Sequence, residues 1–170
     1  NFIDEVTKDN GDKAMTNRCV RINSLKEDGT ELEMYMSAAL DINNDGVFYP
    51  KSFYKDIVEN VDYVQAVSLI TATDVKRVIA DVFPVWDNNC EWQADCINYM
   101  IENRGVEVIY SHNHIIDCMG HQMLHYCKPD CDPQKYNPGY DYLQYQEFFR
   151  ETYRITDRYI GRFMHLLDED

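Results

Sequence analysis

An alternation of apolar and polar residues near the start of the chain predicts a β-hairpin. Residues 18–25 and 31–38 have the period-two pattern of strands, and Glu27-Asp28-Gly29-Thr30 between them has the composition of a hairpin turn. The apolar side of the second strand consists of Leu32, Met34 and Met36. The polar residues 1–13 contain Asn10-Gly11-Asp12, and we expect them to form a loop.

Later segments show the spacing of three and four residues that is typical of helices. The expected helices are a short one from Ser52 to about Asn60, one from the N-cap Thr73 to Pro84, one from about Asn89 to Gly105, and a long one from about Tyr140 to Leu167. The predicted inner face of the long helix consists of Phe149, Thr152, Thr156, Tyr159, Ile160, Phe163 and Leu167. The β-branched run from Val106 to Tyr110 predicts a buried strand. This succession of helix, strand and helix favours the α/β class.

Composition narrows the classes of function. The chain has 170 residues, 45% of them hydrophobic, which is enough for one ordinary core. Its formal net charge of −14 argues against binding to nucleic acid, since the phosphate backbone is repelled. No apolar run approaches the roughly 20 residues that cross a membrane. The six cysteines are expected to be reduced thiols, and the first residues do not resemble a signal peptide, so we expect a cytoplasmic protein.

Asp117 and His121 have the spacing of two ligands on one helical face. Side chains at i and i+4 lie about 5–6 Å apart at Cβ, and zinc bonds to oxygen or nitrogen are about 2.0–2.2 Å long, so one ion can take both. Gly120 leaves room for a substrate or another element. The pair also follows the carboxyl end of the predicted strand, where open α/β sheets place active sites. A capping Asp with a half-buried His is the alternative.

Histidines are concentrated around this pair. Four of the five lie between positions 112 and 125: His112, His114, His121 and His125. Because His112 and His114 alternate about the expected strand end, one of them could face the metal. Imidazole is a common metal ligand near neutral pH.

Two other cation sites are possible from composition. A structural zinc site could use Cys118, His121, His125, Cys127 and Cys131, although their spacing contains no CxxC pair. Asp41, Asn43, Asp45 and Gly46 match the first half of a calcium loop. Its twelfth position is Ser52 instead of Glu, so an ordinary turn is the better interpretation. No candidate nucleophile has a recognisable activating context. The Cys118 thiolate in particular would be disfavoured beside the Asp117 carboxylate.

The segment Val108-Ile-Tyr-Ser-His-Asn-His-Ile-Ile-Asp-Cys-Met-Gly-His121 resembles the Asp-x-x-Gly-His metal motif of type I phosphodiesterase/nucleotide pyrophosphatase proteins, in the alkaline phosphatase superfamily. Residues 156–169 resemble the helix before the next active-site strand of that family. The resemblance implies an α/β fold that is a fragment of an alkaline-phosphatase-like core. Residues 84–170 would be part of the metal-bearing core, and residues 1–83 an insertion or cap region with the β-hairpin.

The resemblance also implies metal-dependent hydrolysis of a phosphate ester or nucleotide. Asp117 and His121 would ligate one of two divalent ions, zinc being the expected metal, with His114 as a further ligand. The family's Thr or Ser nucleophile and its Ser-Asp-His-Gly motif do not occur in these 170 residues, so we expect the chain to be inactive alone. The alternative is a small non-enzymatic metal-binding or interaction module with a structural His/Cys zinc site.

Overall fold

A computed structural model describes residues 2–42, 47–67, 77–129 and 141–167. Contacts divide the chain into two compact units, Asn1–Ser68 with Asp95–Gly105, and Leu69–Ala94 with Val106–Asp170. The secondary structure is mixed, with helices and small antiparallel sheets. The expected start of a helix at Thr73, the loop Asn43–Gly46, Cys131 and most of residues 128–139 lie outside the described residues. The assignment of residues 1–83 to a cap and 84–170 to a core stays a prediction.

The first unit begins with a hairpin that the sequence did not predict. Strand β1 (Phe2–Thr7) pairs antiparallel with β2 (Lys13–Arg18), and the intervening turn is closed by a hydrogen bond of 2.8 Å from the Lys8 N–H to the Asp12 carbonyl. The expectation of a loop over residues 1–13 is therefore wrong. Residues 2–7 do not alternate cleanly, and their strand conformation depends on pairing with β2, which a local pattern does not show.

The predicted hairpin is confirmed. Strand β3 (Val20–Leu25) pairs antiparallel with β4 (Leu32–Met36), and Gly29 occupies the turn with a φ of 72°. A positive φ is accessible to glycine without the steric cost that a Cβ brings. A two-residue strand β5 (Leu40–Asp41) pairs with β2, so the first unit contains one three-stranded and one two-stranded sheet among its described residues.

Helix α1 (Ser52–Asn60) is confirmed, and it contacts the last turns of helix α2 (Phe83–Arg104) within the first unit. The Tyr99 hydroxyl donates a hydrogen bond of 2.9 Å to the Asp56 carboxylate, and the Arg104 guanidinium pairs with both oxygens of that group. The hydrogen bonds from Arg104 lower the pKa of Asp56 to about 2. These contacts attach α1 to α2 through charge and hydrogen bonding.

Helix α2 is one continuous element, so the expectation that Pro84 ends a helix is wrong. A π-helical stretch, Val78–Val82, leads directly into α2, and the Phe83 N–H bonds to the Val78 carbonyl. Proline lacks the N–H that would bond four residues back. The wider π-helical turn accommodates this loss, as insertions of this kind do inside helices. The expected stop at Gly105 is confirmed, since its φ of 64° departs from helical geometry.

The second unit is helical in its described residues. Besides the amino-terminal part of α2, it contains helix α3 (Ile115–Met123), a 3-10 turn (Leu124–Cys127), helix α4 (Tyr142–Gly161) and a second 3-10 turn (Met164–Leu166). Its most deeply buried side chains are Val78, Val82, Ile115, Met119, Met123, Tyr145 and Ile155. The Tyr145 ring packs against the rings of Tyr126 and Phe148, so aromatic side chains fill much of this core.

The strand predicted over 106–110 does not form. These residues adopt no regular structure, and Val108 and Tyr110 are 86% and 94% exposed. A β-branched run becomes a strand only where a neighbouring strand satisfies its backbone groups, and none of the strands in the described ranges pairs with it. Among the described residues, no helix is long and apolar enough to cross a membrane.

Candidate metal site on helix α3

Polar contacts fix the start of helix α3. The Asn113 side chain accepts a hydrogen bond of 3.2 Å from the Ile115 N–H and donates one of 3.0 Å to the buried Cys90 sulfur. Two residues earlier, the Ser111 and Tyr159 hydroxyls are 2.8 Å apart. From this anchored start, Ile115, Met119 and Met123 turn into the core at intervals of four. The opposite face, which carries the candidate ligands, is therefore held toward solvent.

Asp117 lies between two histidines on that exposed face. One carboxylate oxygen is 2.8 Å from His114 Nε2, and the other is 3.4 Å from His121 Nε2. The three residues singled out in the sequence as metal ligands are thus neighbours in the structure. They do not lie at the end of a strand, since residues 106–110 form none, and they are open to solvent: the Asp117 side chain is 57% exposed and that of His121 is 81% exposed.

Cys118, and not His121, completes a compact set of donors with His114 and Asp117. Ligand atoms of His114, Asp117 and Cys118 lie within 4.8 Å of one another, the only such set of three or more donors among the described residues. As a metal ligand, Cys118 was expected only in a different zinc site. The signal was nevertheless present, because positions 114, 117, 118 and 121 follow the i, i+3, i+4, i+7 spacing of one helical face.

The remaining donors do not enter the group. The His112 ring packs edge-on against His114 at a centroid distance of 4.5 Å, and the His125 ring lies 3.8 Å from that of Tyr126. The Cys127 thiol donates to the Met123 carbonyl at 3.5 Å. A structural zinc site built from Cys118, His125 and Cys127 is therefore not assembled in the described part of the chain.

Gly120 faces the protein. A Cβ placed on Gly120 would lie 3.9 Å and 4.0 Å from two ring carbons of Phe149 on α4, which is ordinary van der Waals contact. Helix α4 therefore lies beside Gly120, so the glycine does not open space for a substrate, and the distance between the helices would also accommodate a Cβ at this position.

The Cys118 thiol is a weak nucleophile in this setting. Partial burial, followed by the negative charge of Asp117, raises its pKa above the ordinary value. It is therefore a neutral thiol near pH 7, as the sequence predicts. A metal that uses this sulfur must displace the proton, so its affinity should rise with pH.

The donor set fits a zinc-type ion. Two ligands of a tetrahedral ion with bonds of 2.0–2.2 Å are separated by roughly 3.4 Å. The spacing between Asp117 and His121 has this value, and the shorter one to His114 needs only a small rotation of exposed side chains. Without an ion, the same residues stabilise the helix, since Asp lies in its first turn and His121 in its last. Asp117 contributes under either interpretation, as a metal ligand or as a residue that stabilises the helix. Only the first interpretation predicts that an ion binds.

Comparisons with models of protein families, with curated proteins and with solved structures found no match to this chain. The resemblance to phosphodiesterase/nucleotide pyrophosphatase proteins therefore stays a prediction from the motif between Asp117 and His121 and the segments around it.

Proposed function

We propose that this chain binds one divalent ion of the zinc type on the exposed face of α3, with Asp117, His121 and His114 as ligands and Cys118 as an additional donor. The observation that supports this most directly is the position of Asp117, whose two carboxylate oxygens each meet a histidine. A carboxylate with imidazoles and one thiol is a donor set that zinc accepts, whereas calcium and magnesium require oxygen ligands.

We further propose that the ion serves a phosphoric-ester hydrolase of the phosphodiesterase/nucleotide pyrophosphatase type, in an alkaline-phosphatase-like core. The Asp-x-x-Gly-His motif supports this. In such chemistry a bound metal lowers the pKa of water and polarises a phosphoryl oxygen. The chain's own residues would anchor the ion: Asp117 supplies negative charge, and His121 and His114 fix its position. A phosphate ester or nucleotide would be the substrate class.

The exposure of the ligands predicts weak, exchangeable binding. Within the described ranges at most four protein donors lie here, all from one segment of eight residues, and only His114, Asp117 and Cys118 have ligand atoms within 4.8 Å of one another, so water would complete the shell. This distinguishes the proposal from the closed structural zinc site, which resists chelators and unfolds when stripped. Saturation at ten times the dissociation constant would add about 1.4 kcal/mol to stability.

Titration with Co²⁺, followed by absorption spectroscopy and calorimetry, tests metal binding. We expect one ion per chain, with a sulfur-to-cobalt charge-transfer band if Cys118 is a ligand, and displacement by Zn²⁺. Asp117→Asn should weaken binding at least tenfold, since it removes the anionic ligand. The matched control is Asp157→Asn, which neutralises an exposed carboxylate on helix α4. Equal affinities of the two variants would refute the assignment.

Hydrolysis is tested separately with a chromogenic phosphodiester at saturating Zn²⁺. We expect no turnover above a metal-only control, because the sequence contains neither the Thr-bearing nor the Ser-Asp-His-Gly motif of the family. Turnover that persists in Asp117→Asn would contradict the assignment of the site.

A further inference from the structure

His114 differs from the other candidate ligands in its place on helix α3. Asp117, Cys118 and His121 lie within the helix, where backbone hydrogen bonds fix the direction in which each side chain leaves the chain. His114 is the residue just before the helix, with a φ of −98° and a ψ of 0°, and a residue in this place belongs only half to the helical ladder. Helical spacing therefore brings His114 near Asp117 without fixing the direction of its ring.

The side chain of Asn113 closes a turn around His114. Its amide oxygen accepts the hydrogen bond of 3.2 Å from the Ile115 N–H, so the backbone of His114 lies inside the closed turn. Asparagine side chains form such turns with the backbone two residues ahead. Because the Ile115 N–H needs an oxygen, this contact also fixes the orientation of the amide, and its NH2 group points to Cys90.

The contact with Cys90 attaches this turn to helix α2. The Asn113 NH2 group donates a hydrogen bond of 3.0 Å to the sulfur, and Cys90 is 2% exposed. Burial raises the pKa of the Cys90 thiol, so the sulfur is a neutral acceptor near pH 7. Two residues before Asn113, the Ser111 hydroxyl contacts that of the buried Tyr159 on α4. The segment that leads into His114 is therefore held at two points within the second unit.

The ring of His114 occupies the position that this backbone gives it. Its Nε2 is 2.8 Å from a carboxylate oxygen of Asp117, and its ring packs edge-on against that of His112. The side chain is nevertheless exposed, and an exposed side chain has several staggered rotamers open to it. Any rotamer that turns the ring away from Asp117 removes one ligand from the donor set.

We infer that Asn113 is a positioning residue of the metal site, and that it holds the backbone of His114 so that the ring faces Asp117. This role depends on the proposed function, since it concerns the same site. Asn113 does not bind the ion. It reduces the conformational freedom that His114 would otherwise lose on binding. Replacing residues that orient metal ligands typically weakens metal affinity by about 10–100-fold, and we expect the low end of this range because His114 is one of several donors.

Cobalt titration of Asn113→Ala tests this role. Affinity should be about tenfold weaker than in the wild type, and no weaker than in His114→Ala. In the His114→Ala background, Asn113→Ala should have no further effect, because Asn113 acts through His114. Unchanged affinity in Asn113→Ala would overturn the inference. So would a loss that persists in the His114→Ala background, since Asn113 would then support the fold in general.

Two further variants complete the series. Asn113→Ser should recover part of the affinity lost in Asn113→Ala, because a serine hydroxyl closes the same kind of turn, though more weakly. Equal affinities of the serine and alanine variants would count against the turn. Asn103→Ala is the matched control, at an exposed asparagine near the end of α2, and should bind cobalt like the wild type. Circular dichroism checks that all variants remain folded.

NMR spectroscopy of the metal-free chain provides a measurement that does not depend on cobalt. In the wild type, nuclear Overhauser effects should connect the ring of His114 with the ring of His112 and with the β protons of Asp117. They should be lost or much weaker in Asn113→Ala, and unchanged contacts in this variant would overturn the inference. If the wild type binds no cobalt, the proposed function fails, and these spectra still decide whether Asn113 positions His114.

Discussion

Replacing Gly120 with alanine tests whether this glycine serves a substrate or the packing of helices. The residue lies inside α3 with a φ outside the positive range, so alanine fits its backbone. The added methyl group would meet Phe149 at 3.9 Å and 4.0 Å, which needs no displacement. The structure therefore predicts that alanine is tolerated at Gly120, inside the segment from Asp117 to His121 that carries the candidate ligands.

The expected gain can be worked out from two contributions. Alanine is favoured over glycine in a helix interior by about 0.8–1.0 kcal/mol, because glycine loses more backbone entropy on folding. Contact of the half-buried methyl group with the Phe149 ring adds a few tenths of a kcal/mol. A total of about 1 kcal/mol should raise the melting temperature by about 2–4 °C for a chain of this size.

Urea and thermal denaturation of Gly120→Ala measure this gain, and Co²⁺ titration of the same variant measures the site. Cobalt affinity should be unchanged, since the methyl group points toward α4. Gly161→Ala is the control: a Cβ there meets nothing within 4 Å, and the residue ends α4, so the gain should be smaller. A melting temperature below that of the wild type, or a tenfold loss of cobalt affinity, would show that Gly120 faces the site after all.

Two further predictions concern titrating groups in the first unit. Burial, with a smaller contribution from Asp95, raises the pKa of the Cys96 thiol to about 12, so its thiolate fraction at pH 8 is about a thousandfold below that of a thiol at the ordinary value of 9.0. Alkylation of the native chain followed by mass spectrometry should label Cys118 well before Cys96. Denatured protein should titrate as six free thiols, and a count near zero would contradict the expectation that the cysteines are reduced. Because Arg104 lowers the pKa of Asp56 from 3.8 to about 2, their interaction stabilises the fold fully above pH 3.8 and is lost as the pH falls through 2. The denaturation midpoint should therefore fall less steeply between pH 4 and pH 2 in Asp56→Asn than in the wild type or the Asp157→Asn control, and identical slopes would refute this role of Asp56.

Local signals in the sequence were sufficient for several elements. The hairpin of β3 and β4 follows from its turn residues and alternation, and helix α2 ends at Gly105 because glycine adopts the positive φ that closes a helix. Each of these features depends on residues that are close together in the chain.

Features that depend on distant residues were predicted less well. The run from Val106 to Tyr110 has strand composition but no neighbouring strand, and composition cannot show this. The inner face of the long helix was predicted partly wrong: Thr152 and Tyr159 are buried as predicted, but Ile160 is exposed. The predicted end at Leu167 is also wrong, because α4 ends at Gly161 and Leu167 lies beyond it, exposed. Tyr145, Phe148 and Ile155 are buried in their place. In a helix with so many aromatic residues, several faces are apolar enough to be the inner one, and the partner helices decide.

The candidate site, like the hairpin of β3 and β4, depends on residues that are close together in the chain. All its donors come from residues 114–121, so helical spacing alone brings them together, and their proximity does not require the strand that failed to form. Catalysis requires more than proximity. At this exposed position solvent would surround the site, and the Coulomb interaction between two charges in water is about one quarter of that at the effective dielectric constant of a protein surface. Metal binding by α3 is thus compatible with the fold of this chain, whereas efficient phosphoryl chemistry requires a second surface that covers the Asp117 face and excludes water. Robust hydrolysis by the chain should therefore appear only when a second component that covers the Asp117 face is added. That component should also slow the exchange of Co²⁺ from Asp117. Activity without slower Co²⁺ exchange would show that the reaction occurs elsewhere.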